Sequence, residues 1–161
     1  MPPLVAIVGN SDTGKTTLIE KLIPTLKQRG YTVGTVKHTH HGFKMDKQGK
    51  DTWRHQTAGA DTVVAVSPNR IAFVKTSPLD SLEAALPFLE DRDIVLVEGF
   101  KSGNCPKIEI FRKAAGGRPV CLEDPRLMAV VADVEVETPL PVFGPDDIGL
   151  ITDFIESNIL G

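Results

Sequence analysis

The residues from Gly9 to Thr16 have the types and spacing most clearly suited to chemistry. They read Gly-Asn-Ser-Asp-Thr-Gly-Lys-Thr and fit the pattern G-x-x-x-x-G-K-[ST] at every fixed position. Glycines 9 and 14 permit backbone angles and close approaches that a Cβ would block. The N–H groups of such a loop, and the positive end of the helix after it, face phosphates. The pattern therefore predicts a P-loop that binds a purine nucleoside triphosphate with Mg²⁺.

The side chains of this predicted P-loop have separate expected roles. Lys15 can reach the β- and γ-phosphates, and the Thr16 hydroxyl can ligate Mg²⁺. Asp12 fits less easily, because a carboxylate in the loop repels phosphate unless it points away or holds a water or a partner of the metal. The predicted nucleotide-binding residues of this segment are Gly9, Asn10, Ser11, Asp12, Thr13, Gly14, Lys15, Thr16 and Thr17.

A carboxylate is expected near the magnesium, at the end of a neighbouring strand. The apolar run Ile94 to Val97 ends at Glu98, and Gly99 frees the backbone there. We expect Glu98 to act on the magnesium side of the site, directly or through a water, and to take part in catalysis. The simpler alternative is a solvated carboxylate at a strand end.

Two further polar segments are candidates for function. Lys37-His38-Thr39-His40-His41 follows the second predicted strand, so it should lie at the ligand-bearing edge of the sheet. Clustered imidazoles can bind zinc or nickel, but contacts to phosphate, substrate or a partner protein are the favoured interpretation for Lys37, His38 and His41. Asp46 to His55 is densely charged; Arg54 is its best candidate to neutralise γ-phosphate charge, in cis or across a dimer, and a solvated loop is the alternative.

The elements that must position these residues alternate between apolar strands and amphipathic helices. This alternation predicts an α/β fold of the P-loop NTPase type, with a mostly parallel sheet and helices on both faces. A turn-rich link at 67–70 predicts a hairpin that makes one edge antiparallel. Strands are expected at 4–8, 31–36, 62–66, 71–74, 94–97, 107–111 and 127–132, and helices from 16, over 51–58, from 77 and from 145.

Length, charge and cysteine content narrow the class of protein. The 161 residues suit a single P-loop nucleotide-binding domain over 1–161. The net charge of −3 and the dispersed Lys and Arg residues argue against a nucleic-acid partner. The apolar start is too short for a signal peptide or a membrane span, and only two cysteines are present, Cys105 and Cys121. We expect a cytoplasmic protein with reduced thiols.

Several segments together resemble the molybdopterin-guanine dinucleotide biosynthesis protein B (MobB) family. Besides the P-loop, the resemblance lies in Val-Gly-Thr-Val-Lys-His-Thr-His-His at 33–41, Gly-Lys-Asp at 49–51, Leu-Val-Glu-Gly-Phe-Lys at 96–101 and Pro-Lys-Ile-Glu at 106–109. The Lys-His-x-His-His and Glu-Gly-Phe-Lys segments discriminate far better than the P-loop, which many families share. The resemblance covers essentially the whole chain.

This resemblance implies a GTP-binding adapter, usually dimeric, with weak GTP hydrolysis. Its cofactors would be GTP and Mg²⁺, and its partners the guanylyltransferase that attaches GMP to molybdopterin and other proteins of molybdenum cofactor synthesis. Lys101 joins the residues expected to contact substrate or partner. The sequence has no Asn/Thr-Lys-x-Asp motif, so Asp133, after the apolar run 128–132, is the best candidate to accept from guanine N1–H and N2–H.

Two other functions fit part of the sequence. The histidine loop and Cys105-Pro106 would suit a GTPase that delivers nickel to enzymes. The P-loop alone would also suit a small-molecule kinase, although no lid-like arginine cluster accompanies Arg54.

Overall fold

The computed structural model describes residues 1–39, 42–43 and 46–161. It divides the chain into two compact units, of which the first comprises residues 1–38 and 85–161 and the second residues 39–84. The P-loop segment lies wholly in the first unit. The single nucleotide-binding domain expected over 1–161 stays a prediction.

Eight strands and three α-helices are described. In chain order they are β1 (Leu4–Val8), α1 (Lys15–Gln28), β2 (Val33–Lys37), α2 (Asp51–Thr57), β3 (Thr62–Ser67), β4 (Arg70–Lys75), β5 (Ile94–Glu98), β6 (Lys107–Phe111), β7 (Leu127–Ala132), β8 (Val142–Phe143) and α3 (Ile148–Ile155). A π-helical turn, Glu156–Leu160, follows α3. Among the described residues, no helix is both long and apolar enough to cross a membrane.

The first unit is built on a six-stranded sheet in the order β2-β5-β1-β6-β7-β8. Every neighbouring pair in this sheet is parallel. Because parallel strands end at the same edge, the segments after β1, β2, β5, β6 and β7 come together there. The predicted α/β fold with a mostly parallel sheet is confirmed.

One face of this sheet packs against α1 and α3. The core formed there comprises Val5, Ile7, Leu18, Ile19, Leu22, Leu26, Ile94, Leu96, Ile108, Ile110, Ala129, Val131, Ile151 and Ile155. Burying each of the larger aliphatic side chains contributes roughly 1.5–3 kcal/mol. Helix α1 continues past Pro24 and ends before Gly30, which has φ 96°. This packed face holds the start of α1 against the end of β1.

The face of the sheet opposite α1 and α3 packs against a 3₁₀ turn and the segment after β6. Gly34 of β2 lies here, and a Cβ on it would stand 3.0 Å from Leu89 Cδ2, which belongs to the 3₁₀ turn Leu86–Leu89. Lys107 and Glu109 of β6 also point away from the α1 core and are 0% and 1% exposed. Glu109 accepts hydrogen bonds from the Val120 and Cys121 backbone N–H groups at 2.6 and 3.0 Å. This carboxylate therefore ties the segment after β6 to the sheet.

The helix expected from Ser77 and Pro78 was wrong. The chain forms only two short 3₁₀ turns there, Leu82–Ala84 and Leu86–Leu89. The Ser77 hydroxyl accepts from Leu79 N at 3.1 Å, which makes a local turn rather than a helix cap. Pro87 lies inside the expected helix, where it removes a donor and its ring clashes with the preceding turn.

The second unit holds α2 and the antiparallel hairpin of β3 and β4. The hairpin is present as predicted, with Thr62 opposite Lys75 and Ser67 opposite Arg70. Its strands pair with each other in a separate two-stranded sheet, so it does not make an antiparallel edge on the main sheet. Nearly every residue of both strands is exposed; they lack the two-sided burial typical of the parallel strands.

Candidate functional site

The P-loop bends sharply where β1 meets α1. Gly9 has φ 144°, and a Cβ on it would stand 2.3 Å from the Ile110 carbonyl oxygen, so no side chain fits. Gly14 caps α1 with φ 93°, and its carbonyl accepts from Leu18 N at 2.9 Å. The buried Thr13 hydroxyl donates to the Asn10 carbonyl at 2.9 Å. These contacts fix the loop around the N-terminus of α1, where backbone N–H groups have no partner within the helix.

A cavity of about 520 Å³ opens on this loop. It is lined by Ser11, Asp12, Gly14, Lys15, Thr16, Thr17, Lys37 and Glu98, all from the first unit. Its volume lies in the range of small-molecule sites. The structure thus brings most of the predicted P-loop residues together with Glu98, the carboxylate predicted near the metal, and Lys37, which was predicted to contact substrate or partner.

Lys15 extends back over the loop. Its Nζ donates to the carbonyl oxygens of Asn10 at 2.6 Å and Gly9 at 3.3 Å. Burial lowers the pKa of Lys15, and the neighbouring charges of Lys101 and Lys37 lower it further, against the opposing effect of Glu98 and Asp12. Three ammonium groups therefore lie near one another, and an anionic ligand would reduce their mutual repulsion. Asp12 has φ 59° and is one of the residues that line the cavity.

Glu98 lies at the centre of the polar contacts in the cavity. Its Oε1 accepts a hydrogen bond from the Thr16 hydroxyl at 2.9 Å and forms an ion pair with the Lys37 ammonium at 3.1 Å. The strand register explains the second contact, because Lys37 of β2 is paired with Glu98 of β5. A hydroxyl and a carboxylate at this distance are the oxygen ligands that Mg²⁺ prefers. Thr16 and Glu98 therefore fit a magnesium ion.

The outer side of the P-loop is held by two segments from the same sheet edge. Lys101 Nζ lies 3.4 Å from Asn10 Oδ1, and Asn10 Nδ2 donates to the Arg118 carbonyl at 3.3 Å. His38 donates its backbone N–H to the Glu98 carbonyl at 3.0 Å, and its ring meets the Phe100 ring edge-on at 4.8 Å between centroids. Lys101 thus contacts the P-loop, and His38 contacts Glu98 and Phe100 at the end of β5.

Asp133 follows the last residue of β7 at this edge. Its Oδ1 accepts a hydrogen bond from the Lys113 backbone N–H at 2.9 Å, and the residue is exposed. The side chain is therefore oriented by the segment after β6. Asp133 is not one of the residues that line the cavity at the P-loop.

Two further residues, Arg54 and His41, were predicted to belong to the site. Arg54 lies in α2 of the second unit, 71% exposed, with Nη1 4.0 Å from Asp51 Oδ1. His41 lies outside the described residues, as does His40. Within the described ranges, no three His, Cys, Asp or Glu side chains gather to hold a metal.

Sequence reasoning missed Arg112. Its Nη2 would stand 3.9 Å from a Cβ on Gly14, and its Nε is buried with no hydrogen-bond partner among the described residues. The available signal was positional, because Arg112 directly follows β6 at the same edge as Gly9 and Glu98. Its charge also contributes to lowering the pKa of Asp146, for which the Lys21 ammonium is the main cause.

Comparison with known proteins gives concordant results. The family model described as molybdopterin guanine dinucleotide synthesis protein B, MobB, matches residues 4–133. A molybdopterin-guanine dinucleotide biosynthesis adapter protein of Escherichia coli K12 is 41% identical, over 96% of this chain and 92% of the relative. A solved structure of molybdopterin-guanine biosynthesis protein B has 31% identity and a TM-score of 0.78, covering 96% of this chain and 98% of its own. Bacillus subtilis MobB has 27% identity and a TM-score of 0.77, with 98% of both chains covered.

Proposed function

Because the chain belongs to the MobB family, as the resemblance in its sequence predicted, we propose that it is an adapter protein in molybdopterin guanine dinucleotide biosynthesis that binds GTP with Mg²⁺. The word adapter comes from the names of its relatives in Escherichia coli and Haemophilus influenzae. The P-loop supports the nucleotide part of the proposal.

The observation that carries the nucleotide proposal is the convergence of Lys15, Thr16 and Glu98 on one cavity. In it, Lys15 turns its ammonium from the loop carbonyls to the β- and γ-phosphates, and the N–H groups at the start of α1 donate to the β-phosphate. Thr16 and Glu98 would hold Mg²⁺, which would supply neutralisation of the phosphate charge there.

Guanine preference is the part of the proposal that rests mainly on the family. Asp133 supports it from this chain, since one carboxylate oxygen is held by Lys113 N and the other can accept from guanine N1–H or N2–H. A fixed acceptor discriminates strongly against a base that lacks the matching donor. Adenine has no N1–H, so ATP should bind more weakly.

Hydrolysis is proposed to be slow. The Glu98 carboxylate already contacts Thr16 and Lys37. We therefore propose that it balances the charge of the metal ion and does not remove a proton from the attacking water. Arg54 stays a candidate for neutralising γ-phosphate charge, in cis or from a second copy. A protein of this kind would serve mainly as a GTP-dependent adapter.

The proposed partner is the guanylyltransferase that joins GMP to molybdopterin, with other proteins of molybdenum cofactor synthesis as further partners. Lys37, His38, His41 and Lys101 are the residues assigned to contact the substrate or the partner. We also propose a homodimer, because Val66 and Ile71 of the hairpin are 73% and 69% exposed, and an isolated two-stranded hairpin is only marginally stable. A cytoplasmic location remains a prediction from the sequence.

The adapter proposal is tested by reconstituting dinucleotide formation from molybdopterin, GTP, Mg²⁺ and the guanylyltransferase of the same organism. Adding the wild-type chain should increase the yield at limiting GTP. Lys15→Ala should lose this increase, whereas Lys27→Ala, a change of the same charge in the last turn of α1, should keep it. Equal yields with and without the wild-type chain would contradict the proposal.

A further inference from the structure

Glu98 receives its two polar partners on the same oxygen. Thr16 Oγ1 and Lys37 Nζ both approach Oε1, at 2.9 and 3.1 Å. A carboxylate oxygen has few directions in which to accept, and a divalent cation held by Thr16 and Glu98 would need this region. The Lys37 ammonium and the metal therefore compete for one carboxylate.

Lys37 is suited to leave Glu98. Its side chain is 67% exposed while that of Glu98 is 15% exposed, so the lysine has room to move and the carboxylate does not. The two residues are register partners at the ends of adjacent strands, and four rotatable bonds let the ammonium swing while its backbone stays in β2. Lys37 also lines the cavity that contains Lys15.

The charges of the cavity indicate where Lys37 would go. Among the residues that line it, Lys15 and Lys37 are positive and Asp12 and Glu98 are negative. Once Glu98 is shared with a cation, the ammonium would lose its counter-charge, and a bound triphosphate would bring a new anion, its terminal phosphate, to the same cavity. A diphosphate lacks that group, so Lys37 would gain a partner only with a triphosphate.

We propose that Lys37 determines the preference for a nucleoside triphosphate over a diphosphate, by exchanging Glu98 for the γ-phosphate when Glu98 and Thr16 take the metal. This inference rests on the proposed function, because it requires the P-loop to bind a nucleotide with Mg²⁺. It adds a specificity role to a residue otherwise assigned only to general contact.

Titration calorimetry of the full chain tests this exchange. The probes are GDP and guanylyl imidodiphosphate, a slowly hydrolysed GTP analogue, each with Mg²⁺ and with EDTA. The variants are Lys37→Met and Lys37→Arg, of which the second keeps the charge. Lys27→Met is the control, because it removes the same charge in the last turn of α1, at the end away from the P-loop. Circular dichroism would verify that each variant is folded.

In Mg²⁺, Lys37→Met should reduce the affinity ratio of the analogue to GDP by about tenfold, the effect of one phosphate contact worth ~1.4 kcal/mol. Lys37→Arg should retain most of the wild-type affinity ratio, and Lys27→Met should leave the ratio unchanged. In EDTA, Lys37→Met should leave the ratio unchanged, because Lys37 then stays on Glu98. In a Mg²⁺ titration with GDP, the variant should need several-fold less Mg²⁺ for half-saturation, since the competing ammonium is gone.

Three results would overturn the inference: an unchanged ratio in Mg²⁺, an equal loss for both nucleotides, or an unchanged Mg²⁺ midpoint with GDP. In these cases the wild type still binds both nucleotides and the proposed function stands. If the wild type binds neither nucleotide, the proposed function fails and this inference fails with it.

Discussion

At the scale of single residues, the metal-side assignment of Glu98 has a direct consequence. Glu98→Gln keeps the shape of the side chain but removes its charge, so the Mg²⁺-dependent part of triphosphate binding should fall about tenfold. Binding in EDTA should change little, because Lys15 and the loop N–H groups are intact. Calorimetry with and without Mg²⁺ measures both quantities, with Glu20→Gln on the exposed side of α1 as a control. An unchanged Mg²⁺ response would remove Glu98 from the metal site.

A second residue-scale prediction concerns acid stability. The Lys107 ammonium, 2.7 Å away, lowers the pKa of Asp124 below its ordinary value of 3.8. A lowered carboxyl pKa contributes stability that is fully present above the unfolded-state value and is lost as the pH falls through the folded-state value. The free energy of unfolding should therefore decrease below about pH 4.

Urea unfolding between pH 2.5 and pH 7 measures this dependence. Asp124→Asn should be less stable than wild type at pH 7, because Lys107 is 0% exposed and loses its charged partner. Its acid loss should also be shallower than that of the wild type. Parallel curves for the two proteins would show that Asp124 does not cause the acid sensitivity.

At the scale of elements, one buried carboxylate holds the long segment between β6 and β7. Glu109→Ala would leave the Val120 and Cys121 N–H groups without their acceptor, at a cost of about 1–3 kcal/mol for each group. We expect a loss of roughly 2–6 kcal/mol in the free energy of unfolding, measured in urea. Glu135→Ala, in the segment after β7, is the control and should stay within about 0.5 kcal/mol of wild type. A loss that small for Glu109→Ala would contradict the anchoring role.

The sequence predicted elements well where one local pattern decided the outcome. The strands at 4–8, 107–111 and 127–132 and the end of α1 at Gly30 have the expected positions, because runs of apolar residues, continuous or alternating, and a helix-ending glycine are local signals. The helix expected from Ser77 did not form, because Pro87 removes a backbone donor within it and its ring clashes with the preceding turn. Strand β8 was missed because two residues give no periodicity, and the separate sheet of the hairpin depends on pairing partners that spacing does not reveal.

The site was predictable in part for the same reason. Lys15 and Thr16 follow from one contiguous motif, and Glu98 from its position at a strand end. The contact of Lys37 with Glu98 and the position of Arg112 near Gly14 depend on the strand order β2-β5-β1-β6, which the sequence does not state. Strand order, rather than residue type, is what the structure adds to the site.

At the scale of the whole molecule, the exposed hairpin predicts self-association. Val64, Val66, Ile71 and Phe73 lie on one face of β3 and β4 and are 40–73% exposed. The double variant Val66→Asp/Ile71→Asp should shift the wild-type dimer to a monomer in sedimentation, because charges would be buried without partners. Leu79→Asp, at a 63% exposed leucine outside the hairpin, should remain dimeric. A monomeric wild type would reject the homodimer.

The central claim for the whole molecule is that residues 9–16 bind GTP with Mg²⁺. Displacement of a fluorescent GTP analogue by unlabelled GTP and ATP, on wild type and Lys15→Ala, tests it most directly. GTP should compete at least tenfold better than ATP on the wild type. Lys15→Ala should weaken binding of the analogue about a hundredfold, as expected for ~3 kcal/mol from a lost charged phosphate contact. Equal binding of the analogue to wild type and Lys15→Ala, or no binding to the wild type, would contradict the claim.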